Sequence, residues 1–182
     1  MGFIGLKKPK EQLVKENISI GDKLLLPQNI QIENNHAMIF FIRHIGCPFA
    51  EATLKMINER VTLNPTIDYI IISHGNHDSY FSWLKIINID KDIKHFIDSD
   101  RIFYGNAGLG FSSISHFLSF KPITGVLKLL LKGIKNRSAE GTRWQKAGTF
   151  LIKKDGTILW NHIPQYADEL PSIDRALKVI EN

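Results

Sequence analysis

The residues best suited to chemistry lie in one short stretch, Phe41-Ile-Arg-His-Ile-Gly-Cys-Pro-Phe-Ala50. It holds Cys47, the only cysteine among 182 residues. Pro48 suits the first position of a helix, so Cys47 is expected at a strand-to-helix junction. Unpaired backbone N–H groups at a helix start carry partial positive charge and favour an anion there. The thiolate is the reactive form of cysteine. Arg43 adds positive charge, and His44, three residues before the thiol, can tune or deprotonate it. Gly46 permits an unusual turn and the close approach of a substrate. The chemistry favoured is attack by sulfur on a peroxide oxygen or on a disulfide sulfur. The competing reading is an inert cysteine used as a small buried hydrophobe.

One cysteine also excludes much. No intramolecular disulfide, dithiol cycle or cysteine-based zinc finger can be built from it. Of the seven histidines only His74 and His77 lie close together in sequence, without the third ligand that a zinc site needs. No metal and no cofactor is therefore expected. Gly108-Leu-Gly110 lacks the third glycine and the preceding strand of a dinucleotide site, and no phosphate-binding loop or esterase elbow occurs. The segment Met1-Gly-Phe-Ile-Gly-Leu-Lys-Lys-Pro lacks the basic-then-apolar order of a signal peptide. No run of about 18 apolar residues is present, so a membrane span is not expected and a cytoplasmic location is.

The elements that must position Cys47 follow from hydrophobic patterning. Ala37–Ile42 and Asp68–Ser73 are nearly continuous apolar runs, as in strands buried on both faces. Helical patterns cover about 48–60 and, capped by Asn76 or Asp78, extend to about Ile87. A short helix is expected near Lys10–Glu16, a short element near His95–Ile97 and a helix near Arg101–Ala107. Residues 148–153 and 157–162 read as a hairpin turning at Asp155-Gly156, followed by a terminal helix over 168–181. The expected class is α/β, one domain over residues 1–182, with a mixed central sheet flanked by helices. Residues 112–137 form a helical insert before the closing hairpin. This order resembles the thioredoxin-like arrangement.

The charge of the chain is confined to that insert and its flank. The net +5 equals the excess between Lys121 and Arg143, where six cations meet only Glu140. A nucleic-acid binder would spread such charge and interleave aromatics, so no nucleic-acid partner is expected. Val126, Leu127, Leu130, Leu131 and Ile134 follow an apolar helical spacing, with Lys128, Lys132 and Lys135 on another face. Docking of the apolar side on the core is the plain reading. Contact of 121–137 with an anionic membrane or an acidic partner is the other.

The stretch Phe40-Phe-Ile-Arg-His-Ile-Gly-Cys-Pro-Phe-Ala-Glu51 resembles the active-site region of the peroxiredoxin-like branch of the alkyl hydroperoxide reductase/thiol-specific antioxidant (AhpC/TSA) family. Further matches are Ile72-Ser-His-Gly75, Asp98-Ser-Asp-Arg-Ile-Phe-Tyr104, Gly108-Leu-Gly110, Trp144-Gln-Lys-Ala-Gly-Thr-Phe-Leu-Ile152 and His162-x3-Tyr166-Ala-Asp168. The resemblance implies a thioredoxin-like fold and a hydroperoxide-reducing thiol at Cys47, with Arg43 and His44 assisting. The thiol's flanks, Gly46, Pro48 and Phe49, and the facing late strand with its lead-in, Trp144, Gly148 and Thr149, are the expected substrate pocket. The chain departs from the branch at Ala50, which stands where a second cysteine is usual. It also departs at Ala147, where better-characterised members carry an arginine that clamps the thiolate. Arg43 or Arg143 would then supply that charge. Gly148 stands where thioredoxins proper carry a cis-proline, and leaves a more open pocket.

The resulting expectation is a one-cysteine thiol oxidoreductase acting on a hydroperoxide or disulfide. Its reductant is an external thiol, glutathione or a thioredoxin-like protein. The alternative is a non-catalytic binding module or redox sensor that uses 121–137 as its contact surface. A Cys47–Cys47 bridge, and with it a homodimer, is the intermediate case.

Overall fold

A computed structural model describes residues 9, 12–89, 93–113, 126, 129–135 and 137–181. Its elements are β1 (His36–Phe41), α1 (Pro48–Leu63), β2 (Asp68–Ser73), α2 (His77–Ile86), β3 (Lys94–Ile97), α3 (Ile102–Asn106), β4 (Gly148–Lys153), β5 (Ile158–His162) and α4 (Ile173–Glu181). The strands form one sheet in the order β3-β2-β1-β4-β5. β1 runs parallel to β2 and antiparallel to β4, and β2 is parallel to β3. The expected mixed sheet flanked by helices is what the chain builds.

The continuous apolar runs are explained by two cores, one on each face. Successive strand side chains point to opposite sides. Met38 and Phe40 therefore join Leu54 and Ile57 of α1, Trp83 of α2 and Leu177 of α4. Ala37, Ile39 and Phe41 join Tyr104 of α3, with Leu24 and partly buried Ile18, Ile30 and Ile32 of the amino-terminal segment. Each large apolar side chain so buried stabilises by about 1.5–3 kcal/mol. Ion pairing of Arg60 with Asp174 at 2.8 Å ties the last turn of α1 to the first of α4.

Two expectations are corrected and a third is only partly described. Gln12–Glu16 is irregular rather than helical, because Leu13 and Lys15 lie against the glycines of the 105–108 turn; residues 10 and 11 lie outside the described residues. The terminal helix begins at Ile173 and not at Asp168, since Pro171 interrupts the segment between them. Of the expected insert over 112–137, residues 126 and 129–131 are helical, and residues 114–125, 127, 128 and 136 lie outside the described residues. None of the described helices is long and apolar enough to cross a membrane.

Register fixes where function can sit. Phe41 pairs with Ile72 on one side and Gly148 on the other. The ends of β1 and β2 and the start of β4 thus meet at one edge of the molecule, with the Cys47 loop between them.

Candidate functional site

Cys47 caps α1, with φ −70° and ψ 127°. Its N–H donates to the His44 carbonyl at 3.2 Å, and its own carbonyl accepts from the Glu51 N–H at 2.9 Å. The loop turns at Gly46, where φ is +82°. A side chain at this position would run into the Ser138 carbonyl, so glycine is required twice over. The thiol is 1% exposed and makes no capping hydrogen bond.

Basic groups surround the loop. Arg43 and His44 are buried, at 6% and 4% exposure, and an Arg43 Nη donates to the Arg143 carbonyl at 3.1 Å. Burial holds the His44 imidazole well below its usual proton affinity, and the Arg43, Arg143 and His74 charges lower it further. His74, wholly buried at the end of β2, is pushed down to about 3 by burial and then by Arg101 and Arg43. Burial thus disfavours the charged form of both rings. His74 stands edge-on to Tyr104 at 5.5 Å, and Gly141 packs against it so tightly that a Cβ there would reach its Nδ1 at 2.6 Å.

The residues that close the site come from the segment before β4. The Arg137 N–H donates to the Gly46 carbonyl at 3.1 Å, and the Glu140 N–H to the Ile45 carbonyl at 3.3 Å. Glu140 Oε1 accepts from the Asn76 N–H at 2.9 Å, reaching the start of α2. Arg137 Nε lies 3.3 Å from Glu51 Oε2, and Lys55 Nζ lies 3.1 Å from Glu51 Oε1. Glu51, 1% exposed and four residues beyond Cys47, was not singled out in the sequence. Its signal was a carboxylate in the first turn of a helix, which is more often solvated.

The expected face of the insert is corrected here. Leu129 and Ile134 are the buried leucine and isoleucine, and both join the cluster containing Cys47. Leu131 is 84% exposed and Leu130 46%. The helix ends at Gly133, φ +77°, with Ile134 N–H donating to Leu129 O and Gly133 N–H to Leu130 O. This pair of bonds ends the helix and brings its flanking residues, Leu129 and Ile134, together. Lys132 and Lys135 are exposed, whereas Arg137 turns in to Glu51. Lys121, Leu127 and Lys128 lie outside the described residues.

A narrow cleft of about 30 Å³, room for one or two waters, opens beside the site. Arg43, Phe49, Ala50, Gly148 and Thr149 line it, with His162 and Glu169 opposite. Among the described residues lining it, Gly46, Cys47, Pro48, His44 and Trp144 do not appear. Gly148 does not enlarge the space as expected, because Leu109 fills the volume of its missing side chain, 2.7 Å from where a Cβ would stand. Trp144 is half-buried, and its carbonyl accepts from Ser112 N–H at 2.7 Å. His74 and His77 part company, the one buried and the other exposed beside Asp78. Among the described residues no three His, Cys, Asp or Glu side chains gather to hold a metal.

Several solved structures share the fold. A peroxiredoxin-like protein from Aquifex aeolicus superposes with TM-score 0.61 at 15% identity, over 93% of this chain and 90% of the other. A thiol peroxidase from Chromobacterium violaceum gives 0.59 at 11%, over 93% and 90%. A peroxidoxin from Mycobacterium tuberculosis gives 0.58 at 13%, over 91% and 97%. No curated protein sequence matches significantly. A sequence model described as AhpC/TSA antioxidant enzyme matches residues 57–165, a stretch that begins beyond Cys47. That match spans more than half of the chain, in a mixed sheet of the same thioredoxin-like design, and the chain belongs to the AhpC/TSA family.

Proposed function

We propose that this chain is a peroxiredoxin-like thiol oxidoreductase, a single domain in which Cys47 reduces a hydroperoxide. The observation that carries the reading is the position of Cys47 at the N-cap of the 16-residue helix α1, at the end of β1. The Cys47 thiolate attacks the terminal peroxide oxygen; the S–O bond forms as the O–O bond breaks. Cys47 leaves as sulfenic acid, and the alkoxide takes a proton to become the alcohol, or water when the substrate is hydrogen peroxide. Ala50 cannot resolve this species. One external thiol displaces water to give a mixed disulfide, and a second releases Cys47 with oxidation of the pair.

Arg43 supplies positive charge beside the loop, and His44, whose charged form burial disfavours, assists as a neutral hydrogen-bonding group and not as a strong base. The deciding experiment is peroxide consumption by wild type and Cys47→Ser, with glutathione and thioredoxin supplied separately. Sulfenic acid is trapped and located by mass spectrometry. Wild type should consume peroxide and carry the adduct on Cys47; equal rates in both proteins would sink the reading.

Exposed Leu130 and Leu131 beside Lys132 and Lys135 favour one second reading, a contact surface for an anionic partner. It requires salt-sensitive binding to anionic vesicles that Cys47→Ser leaves unchanged.

A further inference from the structure

Cys47 is 1% exposed although α1 begins at the edge of the sheet, where a thiol would ordinarily meet solvent. Among the described residues, Ile134 shares a buried cluster with Cys47, and residues 137–140 form a strap along the Cys47 loop. The strap is held on the Cys47 loop by the Arg137 and Glu140 N–H groups, which donate to the Gly46 and Ile45 carbonyls. These are two isolated backbone bonds, not a sheet. The third attachment is ionic, Arg137 Nε to Glu51 Oε2 at 3.3 Å, with Arg137 31% exposed and Glu51 buried.

We infer that Glu51 is a positioning residue that acts through Arg137 to keep the strap closed over Cys47, and so selects small co-substrates. The inference rests on Cys47 being the reacting group. Small local openings of the strap let hydrogen peroxide or a short alkyl hydroperoxide reach the sulfur, and the sulfenic acid is reduced by a low-molecular-weight thiol. A protein thiol, whose sulfur is set in a bulky surface, is kept out. Three features of the chain fit this role. Glu51 sits on the same helix as Cys47, so the anchor and the nucleophile move together. Its carboxylate is already buried and needs Arg137 as well as Lys55 to balance it. Gly46 leaves no space between loop and strap, since Ser138 O occupies the position of its absent side chain.

The test measures labelling of Cys47, which needs no peroxidase activity. Second-order rate constants are taken for N-methylmaleimide and for a maleimide carrying a long polyethylene glycol chain. Wild type should react with the bulky reagent at least about tenfold more slowly than with the small one, as for a site reached only by local opening. In Glu51→Gln and Arg137→Ala the two rates should converge by about tenfold, and Arg137→Lys should restore most of the difference. General loosening would raise both rates alike and leave their ratio unchanged, which would overturn the inference. Gly46→Ala pushes the strap away at Ser138 and Arg137 while leaving both charges of the ion pair in the chain, and should also make the rates converge. It decides the matter if the charge variants fail to fold. Equal labelling of wild type by both reagents overturns it outright. Loss of peroxidase activity with the size ratio intact would instead refute the reaction proposed for Cys47 and leave the strap standing.

Discussion

The Tyr104 hydroxyl, on α3, donates to the Ile42 carbonyl at the end of β1, and lies 2.9 Å from the Ile72 carbonyl at the end of β2. One wholly buried phenol thus anchors the root of the Cys47 loop to the neighbouring strand. Burial pushes its proton affinity well up, so it remains a donor at all working pH values. Tyr104→Phe keeps the ring and leaves two buried carbonyls without that partner. It should cost about 1–3 kcal/mol, read as a lower urea midpoint with unchanged slope.

Acid should destabilise the fold earlier than its carboxylates alone would. His74 and His95 are pushed down to about 3 and about 4 from 6.5, chiefly by burial, and His44 is lowered as well. Below the unfolded value of 6.5 the unfolded chain therefore binds more protons than the folded one, and stability falls with pH. The loss continues down to the folded values, at no more than about 1.4 kcal/mol per pH unit for each ring. Urea midpoints between about pH 7.5 and about pH 5 should fall in wild type and fall less steeply in His74→Asn.

Gly148 should resist enlargement for a steric reason alone. It opens β4 opposite Phe41, and a Cβ would stand 2.7 Å from Leu109 Cδ2. Gly148→Ala should destabilise by about 1–3 kcal/mol. The same substitution in a Leu109→Ala background should cost clearly less than in wild type. Thermal melts of the four proteins give the coupling directly.

Ala50→Cys should introduce the missing second thiol. Ala50 lines the cleft and lies three residues beyond Cys47, a spacing that puts Cα atoms in the first turn of a helix within the about 4.4–6.8 Å that a disulfide spans. After stoichiometric peroxide this variant should lose both thiols and gain an internal disulfide, whereas wild type should hold sulfenic acid or its adduct. Thiol titration and intact mass distinguish the two.

The order of the elements was legible because it depends on local pattern. Apolar runs at Ala37–Ile42 and Asp68–Ser73 can be satisfied only by strands covered on both faces, and Pro48 can start a helix but not continue one. The position of Cys47 at that helix start follows from these neighbours alone. Asn76 also announced itself, as a side chain able to accept from the N–H groups of Asp78 and Ser79.

What lay beyond the sequence depends on contacts between distant segments. Spacing put Val126, Leu130, Leu131 and Ile134 on the apolar face; Val126 and Ile134 do pack on the core, but the helix ends at Gly133 and leaves Leu130 and Leu131 exposed, with Leu129 inward. Glu51, which the sequence did not mark, is buried against Arg137, 86 residues later. Gly148 lines the cleft as expected, but the space of its missing side chain is taken by Leu109. The lone cysteine marked the candidate nucleophile, and the proposed reaction takes its need for an outside reductant from the absence of a second one. Its burial, the packing of His74 and Arg143 around His44, and the strap along its loop come from the tertiary structure, because they are set by chain segments that meet only when the sheet has formed.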